Sequence, residues 1–247
     1  MSLSERMTAT TDAAVILVAG VGARLRPLTD DRPKALMDLG GETILGRALR
    51  LLRSAGVQDI VLATGYREDQ IRSALSELGI EAKLIANPAY ETTQNSVSLA
   101  LCRHALSGKS FFKLDGDVVF QPAVLSRLQN SRAELAVAVD SSRGVDDEAM
   151  KVRADGAQIR AFGKLIPLAQ AAAETIGIER LTRAAGERVF AAIEAGIASG
   201  VRDRYYEDFY SDLVERGALS ASAVEVSDLP WSEVDTPEDL ERARRCV

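Results

Sequence analysis

The chain has 247 residues, 47% hydrophobic and 27% charged, enough for one large αβ domain with a sizeable core. Its 30 basic and 36 acidic residues leave a net charge of −6, which excludes the basic footprint of a nucleic-acid-binding surface. Two cysteines, Cys102 and Cys246, exclude a disulfide framework or a cysteine metal cluster, and no apolar run is long enough to span a membrane.

The stretch Met1 to Asp12 is polar and lacks the apolar segment of a secretory signal. It reads as a disordered leader before a single domain over residues 13–247, in a cytoplasmic protein. The apolar run Val15 to Ala19 reads as a buried strand. A tight loop through Gly20 and Gly22 follows at once. Glycine lets backbone N–H groups approach phosphate oxygens without a Cβ in the way. Arg24, Arg26 and Lys34 add cationic side chains near the same loop. That combination suits a triphosphate, yet it matches neither standard glycine fingerprint. A dinucleotide loop would need glycine at Leu25, and a P-loop would need Gly-Lys-Ser/Thr after four spacer residues.

Thr43 to Ser54 has apolar residues at helical spacing and stops at Gly56. Ile60 to Thr64 is a second strand ending at Gly65, and Arg67 to Leu78 a second helix ending at Gly79. Glu81 to Ala86 is a third strand, broken by Asn87-Pro88. Ser96 to Leu106 is a third helix. Phe111 to Leu114 is a fourth strand, ending at Asp115-Gly116-Asp117. This alternation predicts a three-layer αβα, doubly wound, mostly parallel sheet of Rossmann-like type. Ligands of such sheets bind at the carboxyl ends of the strands. The glycine loop, Thr64-Gly65, Asn87 and the Asp115/Asp117 pair all fall there.

Leu135 to Val139 is another strand, and Ser141 to Glu148 a polar, acidic loop. Met150 to Arg153 and Gln158 to Phe162 flank Asp155-Gly156 and predict a small antiparallel insertion. Glu174 to Leu181 reads as a strand, Arg188 to Ala198 and Tyr206 to Arg216 as helices, and Val224 to Val226 as a late strand. Thr236, Pro237 and Asp239 form a helix start: cap, first position and third position.

Several of these residues carry two readings. Asp115 and Asp117 are spaced to face one way from a strand, yet Asp-Gly-Asp is also ordinary turn chemistry. The amides of Asn87 and Asn95 could pair with a base, while Asn95 or Ser96 could equally cap the helix that follows. Tyr205-Tyr206-Glu207-Asp208 could hold a cationic ligand, or could be a solvated helix start over packed tyrosines. His104, the single histidine, is assigned no role.

Three strings carry a family resemblance. Leu17 to Thr29 fits L-x-x-G-x-G-x-R-L-x-P-L-T and continues into Arg32-Pro33-Lys34-Ala35-Leu36. This resembles the signature of nucleotidyltransferases that make NDP-sugars and CDP-alcohols, with Ala23 where that family usually carries Thr or Ser. Trp231 to Leu240 resembles the W-x-E-I-D-T-P-E-D-L segment of the CDP-alcohol branch. Asn87, Tyr90, Asn95, Ser96 and Ser98 fit N-x-x-Y-x-x-T-x-N-S-x-S, similar to phosphocholine and aminoalkylphosphonate cytidylyltransferases. The resemblance implies transfer of a nucleotidyl group, CMP from CTP, to a small phosphorylated amine, with release of pyrophosphate. It implies that Ala19, Gly20 and Gly22 cradle the triphosphate and that Arg24 and Lys34 neutralise transition-state charge. It also implies that Asp117 and Asp235 hold Mg²⁺. Thr64, Gly65, Asn87, Asn95 and Ser96 are candidates for base and ribose recognition. Glu174, Tyr206, Glu207, Asp208 and Trp231 are candidates for the acceptor, since a cationic head group seeks carboxylates and ring faces. The expected partners are a nucleoside triphosphate and that acceptor, without nucleic acid or membrane, and a homodimer remains open. Two rivals remain: a sugar-1-phosphate nucleotidyltransferase using another NTP, and a regulatory nucleotide-binding domain without catalysis.

Overall fold

The computed structural model describes residues 11–142 and 144–247. In chain order its strands and α-helices are β1 (Ala13–Leu17), α1 (Ile44–Ser54), β2 (Asp59–Thr64), α2 (Glu68–Leu78), β3 (Lys83–Ala86), α3 (Asn95–Leu101), α4 (Arg103–Leu106) and β4 (Phe111–Asp115). They continue with β5 (Val118–Val119), α5 (Pro122–Asn130), β6 (Leu135–Asp140), β7 (Lys151–Asp155), β8 (Gln158–Gly163) and β9 (Ala173–Leu181). The last are α6 (Arg183–Ala198), α7 (Tyr206–Glu215), β10 (Ala221–Glu225), β11 (Ser232–Glu233) and α8 (Pro237–Arg244).

Strand alternation builds the three layers. In β1, Ala14 and Ile16 join the core on one face of the sheet, and Ala13 and Val15 the core on the other. β2 divides in the same way, with Leu62 on one face and Val61 and Ala63 on the other. α1, α2 and α5 cover the first face through Leu49, Leu52, Ile71, Leu75, Val124 and Leu128. α3, α6 and α7 cover the second through Leu99, Val189, Phe190, Ile193, Tyr206 and Tyr210. A smaller third core joins Leu25 in the glycine loop to Val234, Leu240 and Ala243 near the C-terminus.

The αβα layering therefore holds, but the sheet is not mostly parallel. The strand order is β3-β2-β1-β4-β9-β6-β10-β8-β7. β3, β2, β1 and β4 run parallel, as do β6 and β10. β9 lies antiparallel between β4 and β6. The β7–β8 hairpin pairs antiparallel with β10 through β8 and returns to β9 through β7. The predicted small insertion is thus part of the main sheet. The reason is turn length. Only Gly156 and Ala157 separate β7 from β8, so these two run antiparallel, and the edges of the hairpin pair with strands of the main sheet, β8 with β10 and β7 with β9.

Other differences are local. α6 begins at Arg183 rather than Arg188, because Thr182 caps it by accepting from the Ala185 N–H. The third helix breaks at Cys102, where burial pushes the thiol up to about 12 and leaves it inert. α5 was not anticipated, although Pro122 sits in its first turn. Of the expected leader, residues 1–10 lie outside the described residues. Thr11 is buried and accepts from Arg180 Nε at 3.2 Å, while the Asp12 carboxylate accepts from the Ser110 N–H at 2.9 Å. No helix among the described residues is long and apolar enough to cross a membrane.

Candidate active site

The glycine loop leaves β1 at the carboxyl edge of the sheet. Val18 N–H donates to Ala63 and Gly116 N–H to Leu17, so the loop starts wedged between the ends of β2 and β4. Gly22 has a left-handed φ of 69° and begins a 3₁₀ turn over Ala23–Leu25. Its carbonyl accepts from the Thr29 hydroxyl at 2.9 Å, and a Cβ there would lie 2.9 Å from Lys34 Cβ. Leu25 is fully buried and anchors the turn in the third core. Tyr66 pins the far side, donating its hydroxyl toward the carbonyls of Thr29 and Asp30. Gly65 touches the near side: a Cβ there would meet the Ala19 carbonyl oxygen and the Tyr90 ring at 2.8 Å.

Lys34 opens a second 3₁₀ turn, Lys34–Leu36, and reaches into the cleft. Its Nζ lies 2.5 Å from Asp117 Oδ2 and 2.8 Å from Asp235 Oδ1. Arg24 approaches Asp235 from the mouth, with Nη2 at 2.7 Å from Oδ2 and the side chain mostly exposed. Burial works against the charge on Lys34, but Asp117 and Asp235 outweigh it and raise its pKa above the ordinary lysine value. The lysine is therefore a permanent cation.

Asp117 and Asp235 meet because β5 pairs with β11, Val118 opposite Glu233 and Val119 opposite Ser232. Val234 N–H also donates to the Asp117 carbonyl at 3.0 Å. The predicted cap at Thr236 is present as a full capping box, and the Asp239 carboxylate accepts from the N–H of both Asp235 and Thr236. That fixes the backbone carrying Asp235.

The same pairing brings in Glu233, which sequence reasoning left without a role. Oxygens of Asp117, Glu233 and Asp235 all lie within 4.8 Å of one another. Asp117 Oδ1 is buried without a hydrogen-bond partner among the described residues. Desolvation in the cleft, then the charges of Asp117 and Asp235, push the Glu233 carboxyl up to about 8. Oxygen-only donors of this kind fit a hard divalent cation such as Mg²⁺. The signal was visible in Trp231 to Asp235: positions 233 and 235 share one side of an extended segment. Asp115 does not join this cluster. It turns the other way, accepting from the Tyr206 hydroxyl at 2.9 Å and pairing with Lys113 at 3.2 Å.

A cavity of about 850 Å³ runs from Arg24, Glu233 and Asp235 to the second half of the sheet. Asn95, Glu174, Tyr205, Glu207 and Trp231 line it, with Asp146 and Glu148 from the acidic loop. Buried Lys151 holds that loop, donating to the carbonyls of Asp146 and Asp147 at 3.0 and 2.9 Å.

Five candidates are engaged in hydrogen bonds within the protein. Tyr206 is fully buried and bonds Lys113 and Asp115, and Tyr205 lines the cavity instead. The Asp208 carboxylate, at the third position of α7, reaches back to accept from the N–H of Tyr205 at the cap position. The Thr64 hydroxyl is buried and donates to Glu68 at 2.6 Å. The Ser96 hydroxyl donates to the Arg204 carbonyl at 2.7 Å, and the cap position of α3 falls on Gln94. Asn87 is also spent internally. Its amide donates to Thr93 and Ser98, each at 3.0 Å, and accepts from the Ala89 N–H. Asn87→Ala should cost about 2–3 kcal/mol of stability in a urea melt and leave the nucleotide KM within about threefold. A large rise in that KM at unchanged stability would return Asn87 to the base site.

An αβα sheet with a glycine loop, a half-buried lysine and an acid cluster at its carboxyl edge defines a phosphate-handling nucleotide domain. The chain belongs to the MobA-like NTP transferase domain family, whose profile matches residues 14–203. It is 33% identical over 255 residues to the CMP-5'-(3-aminopropyl)phosphonate synthase of Streptomyces rubellomurinus, covering 96% of this chain and 40% of that protein. It is 28% identical to the bifunctional IPC transferase and DIPP synthase of Aquifex aeolicus, covering 95% of this chain and 51% of that one. The chain thus spans about half or less of these two relatives. It is also 28% identical to the CTP:phosphoglutamine cytidylyltransferase of Campylobacter jejuni, covering 92% of this chain and 97% of that protein. Among solved structures, the inositol-1-phosphate CTP transferase from T. maritima superposes with a TM-score of 0.80 at 24% identity, covering 96% of both chains. At these identities the structural likeness bears on the fold.

Proposed function

We propose that this protein is a cytidylyltransferase that transfers CMP from CTP to a small phosphorylated amine and releases pyrophosphate. The observation that carries the reading is Lys34 held between Asp117 and Asp235 at one end of a cavity whose other end is acidic and aromatic. In the reaction, a phosphate or phosphonate oxygen of the acceptor attacks the α-phosphorus of CTP. The bond from that phosphorus to the bridging oxygen breaks, and pyrophosphate leaves with the electron pair. Such a transfer depends on positioning and charge neutralisation and needs no covalent protein intermediate. The loop around Gly20 and Gly22 binds the triphosphate, and Arg24 at the cleft mouth faces the leaving phosphates. Lys34 stabilises charge gathering on the α-phosphate. Asp117 and Asp235, with Glu233 beside them, would hold Mg²⁺, which supplies further neutralisation of phosphate charge when bound. Asn95 and Gly65 remain the candidates for base and ribose contacts. The names of the Streptomyces and Campylobacter relatives, with CMP-aminopropylphosphonate and CTP:phosphoglutamine, support both CTP and the acceptor class.

Pyrophosphate release tests this directly, with each of four NTPs against phosphocholine, aminoethylphosphonate and hexose 1-phosphates. CTP with a phospho-amine should be the productive pair. Preference for a hexose 1-phosphate with another NTP would establish the sugar-nucleotide reading instead. Nucleotide binding without turnover of any acceptor would point to a regulatory domain.

A further inference from the structure

Resting on that reading, we propose that the acceptor carries a protonated primary amine rather than a quaternary ammonium, and that Glu207 selects it by accepting an N–H hydrogen bond. Glu207 lines the cavity and is only 4% exposed, yet its Oε2 has no hydrogen-bond partner among the described residues. A buried carboxylate oxygen left unpaired is costly, so a donor brought by the ligand would be strongly favoured there.

Among the described residues, the cation whose charge bears on Glu207 is Lys113. Lys113 is the lysine of this cluster, fully buried, and four oxygens already surround its ammonium. They are Glu179 Oε2 at 2.9 Å, Asp115 Oδ1 at 3.2 Å, the Gly177 carbonyl at 3.2 Å and the Tyr206 hydroxyl. One lysine thus stands against three buried or half-buried carboxylates, Asp115, Glu179 and Glu207. Burial, offset in part by Lys113 and reinforced by neighbouring carboxylates, pushes Glu207 up to about 8 and Glu179 to about 7. A ligand cation would complete the cluster.

The kind of cation follows from what else lines the cavity. A quaternary ammonium has no N–H to give and is bound by several aromatic faces. The aromatic residues lining this cavity are Tyr205 and Trp231. Lys164 already stands over the Tyr205 ring, 5.2 Å from its centroid. Trp231 is 4% exposed, with its indole N–H given to Asp140 at 2.7 Å. The cavity therefore offers an unpaired acceptor in place of an aromatic cage.

Three matched acceptors test this with CTP: phosphoethanolamine, its N-trimethyl counterpart phosphocholine, and ethyl phosphate without the amine. The primary amine should exceed both others in kcat/KM by roughly 100-fold, the scale of losing one hydrogen bond between charged groups. Glu207→Gln should lower kcat/KM for phosphoethanolamine by about tenfold or more, narrow its lead over phosphocholine, and leave the KM for CTP unchanged. Equal or better turnover of phosphocholine by the unaltered protein would overturn the primary-amine assignment while cytidylyl transfer to a phospho-amine stood. An undiminished preference in a folded Glu207→Gln protein would remove Glu207 from the selection. Turnover of hexose 1-phosphate with none of the amines would overturn the underlying reading as well.

Discussion

Lys34→Ala should lower turnover by about two to three orders of magnitude, the scale of losing one preorganised charge partner in a transition state. The fold should survive. Lys34 opens a short 3₁₀ turn whose neighbours Ala35 and Leu36 supply the buried surface, and its side chain spans the cleft to two carboxylates. Removing the ammonium leaves Asp117 and Asp235 without it, so divalent cations should bind more tightly even as catalysis fails. Stopped-assay kcat, a circular-dichroism melt and a Mg²⁺ titration on one preparation separate these effects. Near-normal kcat in the folded variant would take Lys34 out of the mechanism.

The second large effect is expected at the acids. Activity should vanish in EDTA and return with Mg²⁺ or Mn²⁺. Asp117→Asn and Asp235→Asn should each cost about 100-fold or more, because each removes a ligand oxygen and an ion-pair partner of Lys34. The double substitution should fall well short of the product, since both residues serve one site. Glu233→Gln should cost less, as Glu233 stands outside the Lys34 pairing. None should unfold the protein. The β5–β11 pairing and the α8 capping box hold this region through backbone groups and Asp239, which these changes leave in place. Full activity in EDTA would dismiss the metal and leave the acids as partners of Lys34 and Arg24 alone.

Much of this was legible along the chain, because it depends on near neighbours. Thr236, Pro237 and Asp239 announced α8 since a capping box is closed within four residues. The first half alternated strand and helix plainly enough for the glycine loop to fall at the carboxyl edge. The motif around Trp231 to Asp235 marked Asp235 as a candidate metal acid, and strand pairing brings Glu233 and Asp117 beside it.

The polar residues were harder to read, for a physical reason. A hydroxyl or amide at a strand end can face a ligand or satisfy the chain's own backbone, and its type is the same either way. Thr64, Asn87 and Ser96 took the second course once burial left them no water. The helix start at 205–208 shows the same limit. Successive residues through a helix start point in different directions, so the four could not all line the cavity. Packing of α7 on β8 and α6 left Tyr205 and Glu207 lining it, sent Tyr206 inward to Lys113, and set the Asp208 carboxylate against the Tyr205 N–H.

Local spacing by itself determined the strand–helix alternation from β1 to β4, the glycine loop and the start of α8, because those interactions close within a few residues. Only the tertiary structure decided the antiparallel place of β9, the meeting of Lys34 with Asp235 across 201 residues, and which acids face the cavity. Those depend on contacts between segments far apart in the chain, and nothing in residue order alone sets their distance or direction.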